Sequence, residues 1–165
     1  MDASGWVVRH APLVPPGGVV LDVATGSGRH AAYFADRGHP VVAVDRDTAH
    51  VRPRDRIRVV RADLEDGAWP LAAGVFSGVV VANYLWRPLF EDLLGALNPG
   101  GVLIYETFAA GNERFGKPSN PAYLLCENEL IAFFGQRLRV EAFEQGQISA
   151  PRAAVVQRIC AVRSE

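Results

Sequence analysis

Val20-Leu21-Asp22-Val23-Ala24-Thr25-Gly26-Ser27-Gly28-Arg29-His30 decides how the rest of the chain is read. An apolar run carries an acid near its end, turns on two glycines, and leads into Ala31-Ala32-Tyr33-Phe34-Ala35. That order is a strand, a tight turn and the start of a helix. The glycines let backbone approach a ligand closely, because a Cβ at either position would fill that space. The helix N-terminus adds unpaired N–H groups and a partial positive charge at the same spot. A small molecule with an anionic or polar end is expected to bind there.

Outward from this unit, apolar runs alternate with helical patterns, which argues for βαβ units and a parallel sheet. Strands are expected near 18–23, 40–45, 56–61, 76–82, 101–107, 137–143 and 153–162. The first helix should run from about Arg29 to Arg37, with Gly38 in the left-handed position that ends it. A short second helix is expected after Asp45, stopped by Pro53. Leu89, Phe90, Leu93, Leu94 and Leu97 repeat at helical spacing and place a buried helix before Asn98-Pro99-Gly100-Gly101. Another helix is expected over Glu127–Phe134. Residues 108–125 hold three Pro or Gly clusters and no clear period, and a loop of that length is often functional.

Length and composition bound the answer. The 165 residues suit one domain spanning 1–165, able to bury a single core. With 49% hydrophobic and 21% charged residues, a folded globular protein is expected rather than a disordered one. No apolar run approaches the roughly twenty residues that span a bilayer. Met1-Asp2-Ala3-Ser4-Gly5-Trp6 has neither a basic start nor an apolar core, so no signal peptide is expected and the cytoplasm is the default location. Cys126 and Cys160 are too few and too far apart for a metal motif or a disulfide framework. The net charge of −1 gives no general attraction to nucleic acid or acidic lipid, so neither is an expected partner. Arg52, Arg54, Arg56, Arg58 and Arg61 lie among Asp47, Asp55, Asp63, Glu65 and Asp66, the pattern of a solvated strand edge.

Two ligand classes use such a turn. Gly26, Gly28 and Ala31 fit the dinucleotide pattern G-x-G-x-x-G/A, and Asp45 closes Pro40-Val41-Val42-Ala43-Val44-Asp45 where a ribose hydroxyl would be read. Taken alone, the turn leaves a nicotinamide cofactor open. Asp22, however, stands four residues before Gly26, where dinucleotide sites carry an apolar residue. Asp22-x-Ala24-x-Gly26-x-Gly28 resembles the D/E-x-G-x-G-x-G motif of class I S-adenosylmethionine (SAM) methyltransferases, with Ala24 in place of the first glycine. Asp63, ending Val59-Val60-Arg61-Ala62-Asp63-Leu64, is similar to the adenine-contacting acid of that family. Leu97-Asn98-Pro99-Gly100-Gly101 is similar to its L-x-P-G-G turn. These features follow the family's order over roughly residues 18–107. Asn83-Tyr84-Leu85-Trp86-Arg87-Pro88, Tyr105-Glu106-Thr107-Phe108, Gly111–Gly116 and Asn120-Pro121 further resemble a group of small bacterial methyltransferases labelled tellurite-resistance-like. That group has histidine where this chain has Trp86.

The resemblance implies an α/β fold: one Rossmann-like, doubly wound seven-stranded sheet in the order 3-2-1-4-5-7-6, last strand antiparallel, with helices on both faces. Ligands then bind beyond the strand C-termini where the order reverses, between strands one and four. For SAM it implies backbone contacts from Ala24, Gly26, Ser27 and Gly28, and ribose contacts from Asp45 with Arg46 beside it. Adenine contacts fall to Asp63 and Leu64. Asp22 either orients the glycine turn or meets the methionine portion, and Arg29 and His30 could meet the ligand carboxylate. Asn83 and Tyr84 would stand below the sulfonium, where a carbonyl and an aromatic face offset positive charge.

Glu106 is the candidate general base. Trp86, Arg87, Phe108, Asn112 and Phe115 are candidates for substrate contact. Trp6, Arg9 and His10 either fold over the cofactor or anchor the N-terminus. The expected activity is methyl transfer from SAM to a small-molecule nucleophile, with no metal. The cleft would be closed by the 108–125 loop, by the N-terminal segment, or by a partner subunit, as in a homodimer. Two rival readings stay open: a SAM-binding subunit without catalysis, which Trp86 favours, and a nicotinamide-dependent reductase. Against the second, Lys117 lacks the tyrosine four residues earlier that a Tyr-x-x-x-Lys pair needs.

Overall fold

Seven strands form one sheet: β1 (Val20–Val23), β2 (Val41–Asp45), β3 (Ile57–Arg61), β4 (Phe76–Ala82), β5 (Leu97–Phe108), β6 (Arg139–Ile148) and β7 (Ala154–Val162). The computed structural model describes residues 1–165 and orders the strands β3-β2-β1-β4-β5-β7-β6. β1 to β5 pair in parallel, and β7 runs antiparallel to both β5 and β6. Order and orientation are those the resemblance implied.

Strand alternation sorts the core into two layers. Leu21, Val23, Val79, Val81, Leu103 and Tyr105 face one side, where α3 (Phe90–Ala96) and α4 (Glu129–Phe134) bury Phe90, Leu93, Leu130 and Phe134. Val20, Val41, Ala43, Val80, Val102 and Ile104 face the other, under α1 (Gly5–His10) and α2 (Arg29–Ala35), which bury Trp6, Val7 and Phe34. A sheet covered on both faces needs near-continuous apolar strands, which is why β1 and β4 read as runs rather than alternations. Each large side chain so buried contributes about 1.5–3 kcal/mol. No helix is long and apolar enough to cross a membrane.

Four local features differ from expectation. No helix follows Asp45, because residues 46–56 are interrupted by Pro53 and offer only Ala49 and Val51 toward an apolar stripe. β3 is instead a largely exposed edge, with Arg54 ion-paired to Asp36. α1 had no periodic signal at six residues, yet the Ser4 hydroxyl caps it by accepting the Val7 N–H, and Trp6 and Val7 anchor it. The Asn98-Pro99-Gly100-Gly101 turn lies inside β5, which starts at Leu97 and therefore ends α3 at Ala96. Finally, 108–125 is not patternless: it holds one-turn 3-10 helices at Asn112–Arg114 and Pro121–Tyr123, and Ala109 bridges to Leu125.

Candidate functional site

Alternation along β1 turns Asp22 toward α2, and this placement explains an acid inside the sheet. Its Oδ2 accepts the Thr25 hydroxyl at 2.5 Å and the Ala31 N–H at 3.1 Å. The side chain is therefore the strut that ties the glycine turn to the first turn of α2. Burial pushes its carboxyl up to about 6, against the bonds from Thr25 and Ala31 that favour the charged form.

Three residues of the turn are left-handed, Ala24 (φ 52°), Gly26 (φ 59°) and Gly28 (φ 79°). A Cβ on Gly26 would meet nothing within 4 Å, whereas one on Gly28 would stand 3.2 Å from Val51 Cγ1. Only Gly26 thus leaves ligand-accessible space, and Gly28 is demanded by backbone and by Val51. Ala24 bears strain of about 1–2 kcal/mol, since its Cβ crowds the following carbonyl in this region. Ala24→Gly should relieve it, partly offset by glycine's freer unfolded chain, for a net gain of about 0.5 kcal/mol. Urea denaturation tests this, and a loss above about 1 kcal/mol, the ordinary penalty of Ala→Gly, contradicts it.

The ends of β2, β3 and β4 meet beside the turn. Asp45 accepts the Gly26 N–H at 2.9 Å on Oδ2 and the Asp47 N–H at 3.1 Å on Oδ1. Asp63 accepts the Glu65 N–H at 3.0 Å on Oδ1. A cavity of about 290 Å³ gathers Ala24, Asp45, Arg46, Asp63, Leu64, Asn83 and Tyr84. Seven of the expected donor-site residues are therefore brought together, with Gly26 and Ser27 exposed at the adjoining turn. The Tyr84 hydroxyl donates to Glu65 at 3.3 Å, on the Asp63 side. Burial and then Glu65, Asp63 and Asp45 hold that phenol well above its ordinary ionisation, so it stays neutral.

Asn83 joins this cavity to a larger one of about 860 Å³ on the α1/α2 face of the sheet. Glu106 and Phe108 continue the face of Val102 and Ile104, and their register partners on β7 are Arg158 and Val156. All four line the larger cavity. Glu106 is buried and accepts Arg158 Nε at 3.1 Å. The N-terminal segment closes one side. Ser4 N–H donates to His30 Nε2 at 3.1 Å, Arg29 Nη1 to the Asp2 carbonyl at 3.0 Å, and Trp6 Nε1 to the Ile159 carbonyl at 3.3 Å. Trp6 and Arg9 thus line the cavity, while His10 packs on Trp6 with ring centroids 4.3 Å apart and lines neither cavity.

Four expected substrate residues line neither cavity. Trp86 packs half-buried against the α3/α4 core. Arg87 is engaged by Glu129 (Nε to Oε2 2.6 Å, Nη2 to Oε1 2.8 Å) and by the carbonyls of Ala122 and Leu124. Asn112 is buried, donating to the Pro118 carbonyl at 3.0 Å and accepting the Val155 N–H at 3.1 Å. Phe115 is exposed beside Arg114 and lines neither cavity. Of the five, Phe108 alone is placed in the cavity. Arg152 and Arg158, absent from the candidates that the sequence offered, also line it. Their signal was the two-residue alternation Ala154, Val156, Arg158 set against Phe108 and Glu106.

Asp22 and His30 make opposite pH demands. Burial, with Arg29 adding to it, lowers the His30 imidazole to about 4. Its contribution is complete above the unfolded value of 6.5 and is lost as pH falls through 4. The raised Asp22 group does the reverse: acidification from 6 to 3.8 adds stability. Over pH 4–6 the two effects therefore oppose each other. Relative to wild type, His30→Gln should gain stability on acidification from pH 6.5 to 4, and Asp22→Asn should lose it. Denaturation midpoints across that range decide the matter, and parallel curves for the two variants rule the assignment out.

Comparison with known proteins agrees with this geometry. Residues 20–101 match a family model described as a methyltransferase domain. A protein-L-isoaspartate O-methyltransferase of Rhodopseudomonas palustris (strain BisB5) is 38% identical over 92 residues, 52% of this chain and 42% of that protein. The chain thus spans less than half the length of the curated relatives it matches. TehB from Haemophilus influenzae is 17% identical with a TM-score of 0.78, over 99% of this chain and 63% of that one. The Burkholderia thailandensis 1,6-didemethyltoxoflavin-N1-methyltransferase, solved with its 1,6-didemethyltoxoflavin and S-adenosylhomocysteine, is 21% identical with a TM-score of 0.68, over 97% and 76%. At such identities the structures speak for the fold. Residues 20–101 thus match the methyltransferase-domain family, and the whole chain shares the Rossmann-like fold of these solved methyltransferase structures.

Proposed function

We propose that the chain transfers a methyl group from SAM to a small-molecule nucleophile. The observation that carries this reading is the single cavity shared by the ends of β1, β2, β3 and β4, with Asp45 and Asp63 in its walls. Its groups suit an adenosyl moiety. Each Asp45 oxygen accepts one backbone N–H and keeps lone pairs for two ribose hydroxyls. Asp63 Oδ2 has no partner within the protein, and neither does the Leu64 N–H, a matched acceptor and donor for the edge of adenine. Asp45, Asp63 and Glu65 outnumber Arg46 in this cavity, which favours a cationic ligand and disfavours the pyrophosphate of a nicotinamide dinucleotide.

SAM supplies an activated methyl: the acceptor's lone pair bonds to carbon as the carbon–sulfur pair leaves with sulfur. The protein's part is placement. Holding the acceptor in line from Asn83 toward the larger cavity contributes several kcal/mol, about 7–11 at best. Tyr84 packs the donor side as a neutral phenol. Glu106, fixed by Arg158, is the carboxylate placed to take a proton from an acceptor that carries one. The N-terminal wall favours a small acceptor over a protein side chain, although the relatives named for isoaspartate act on protein. The likeness to TehB supports a place near the tellurite-resistance-like group. Isothermal titration with S-adenosylhomocysteine, followed by methyl transfer from labelled SAM, tests the reading. NADH binding without S-adenosylhomocysteine binding overturns it.

A further inference from the structure

The donor site accounts for the glycine turn and the smaller cavity, but it leaves the far end of the larger one without a role. Four guanidinium groups line that larger cavity, those of Arg9, Arg29, Arg152 and Arg158, against the carboxylates of Asp2 and Glu106. The chain as a whole carries a net charge of −1, so the positive excess is local. Two of the four are neutralised. Arg9 pairs with Glu144 at 3.0 Å, and Arg158 lies 3.1 Å from Glu106 and 3.7 Å from Glu144.

Arg29 follows the glycine turn directly and donates only to the Asp2 carbonyl, which places it for the carboxylate at the methionyl end of the donor. Arg152 stands apart. Neither an ion pair nor a hydrogen bond engages it within the protein, and its guanidinium carbon lies 6.0 Å from the Phe108 ring centroid. Phe108, Ile148, Pro151 and Val156 make the wall around it apolar. A lone guanidinium on an apolar wall presents one forked set of donors, which matches one carboxylate on a hydrophobic body.

We infer that the methyl acceptor is a small organic carboxylate, held through Arg152 with its apolar body on Phe108, Ile148 and Val156. Its nucleophilic atom then lies toward Asn83 and Glu106, at the junction with the donor cavity. This assignment rests on the methyl-transfer reading, and its test keeps the two apart.

The experiment uses the S-adenosylhomocysteine complex of the full chain. Benzoate, 3-phenylpropionate and indole-3-acetate are titrated by saturation-transfer NMR, each beside its primary amide. At least one acid is expected to bind tenfold or more tightly than its amide. Arg152→Ala, an exposed position, should remove that preference while leaving S-adenosylhomocysteine affinity within twofold by calorimetry. Acids that bind no better than amides, acids indifferent to Arg152→Ala, or no binding by any of the three acids overturns the inference. Failure of S-adenosylhomocysteine to bind wild type instead overturns the methyl-transfer reading, and acid binding through Arg152 is then still measured on the free protein.

Discussion

Asp45→Ala is expected to weaken S-adenosylhomocysteine binding by at least about 100-fold, measured by isothermal titration. The carboxylate ends β2 at the mouth of the smaller cavity, where both oxygens already accept backbone N–H groups and retain lone pairs for a ribose diol. Hydrogen bonds to a charged acceptor are worth about 1.5–3 kcal/mol each, and a diol makes two. Part of the loss comes through the turn, because the Gly26 N–H at 2.9 Å loses its partner and the left-handed bend loses a tether. Asp45→Asn separates the two contributions. It keeps an acceptor for Gly26 but removes the charge, so it should lie between wild type and Asp45→Ala. Affinity unchanged in both variants would falsify the donor site as built here.

Much of this site was legible from local pattern. The acid in β1, the two glycines and the ends of β2 and β3 are each encoded within a few residues, and parallel strands bring such ends to one edge by construction. Asp22, left between two roles by the sequence, follows Leu21 onto the opposite face by alternation and so meets Ala31. What stayed hidden depends on contacts between distant segments. The pairing of Glu106 with Arg158 spans 52 positions and needs the antiparallel register of β5 and β7. The seating of Met1–Trp6 against His30 and Ile159 likewise has no local signature. Residues 108–125 misled for a related reason. Polar side chains in a long loop suggest ligand contact, yet a loop with buried backbone must satisfy its own N–H and C=O groups first. Asn112 does this for Pro118 and Val155.

Arg87→Ala carries the same logic to its largest consequence for stability. The guanidinium joins the β4–α3 connection to α4 through Glu129 and to the preceding segment through the carbonyls of Ala122 and Leu124. Truncation leaves Glu129 with only the Cys126 N–H on Oε1, and leaves two carbonyls short of a donor. Removing one partner of a well-formed, buried pair costs about 3–5 kcal/mol. The Arg87 side chain keeps 38% of its exposure and Glu129 20%, so solvent screening lowers the expected loss to about 2–3 kcal/mol. For a chain of this length that is a fall in Tm of roughly 5–10 °C, read by calorimetry. Arg87→Lys should recover little of it, because a single ammonium cannot reproduce the two-pronged contact with Glu129 and reach both carbonyls. The S-adenosylhomocysteine affinity of the folded variant should match wild type, since Arg87 lines neither cavity. An unaltered Tm combined with a raised KM for the acceptor would return Arg87 to the substrate opening, where its position beside Asn83-Tyr84 first suggested it.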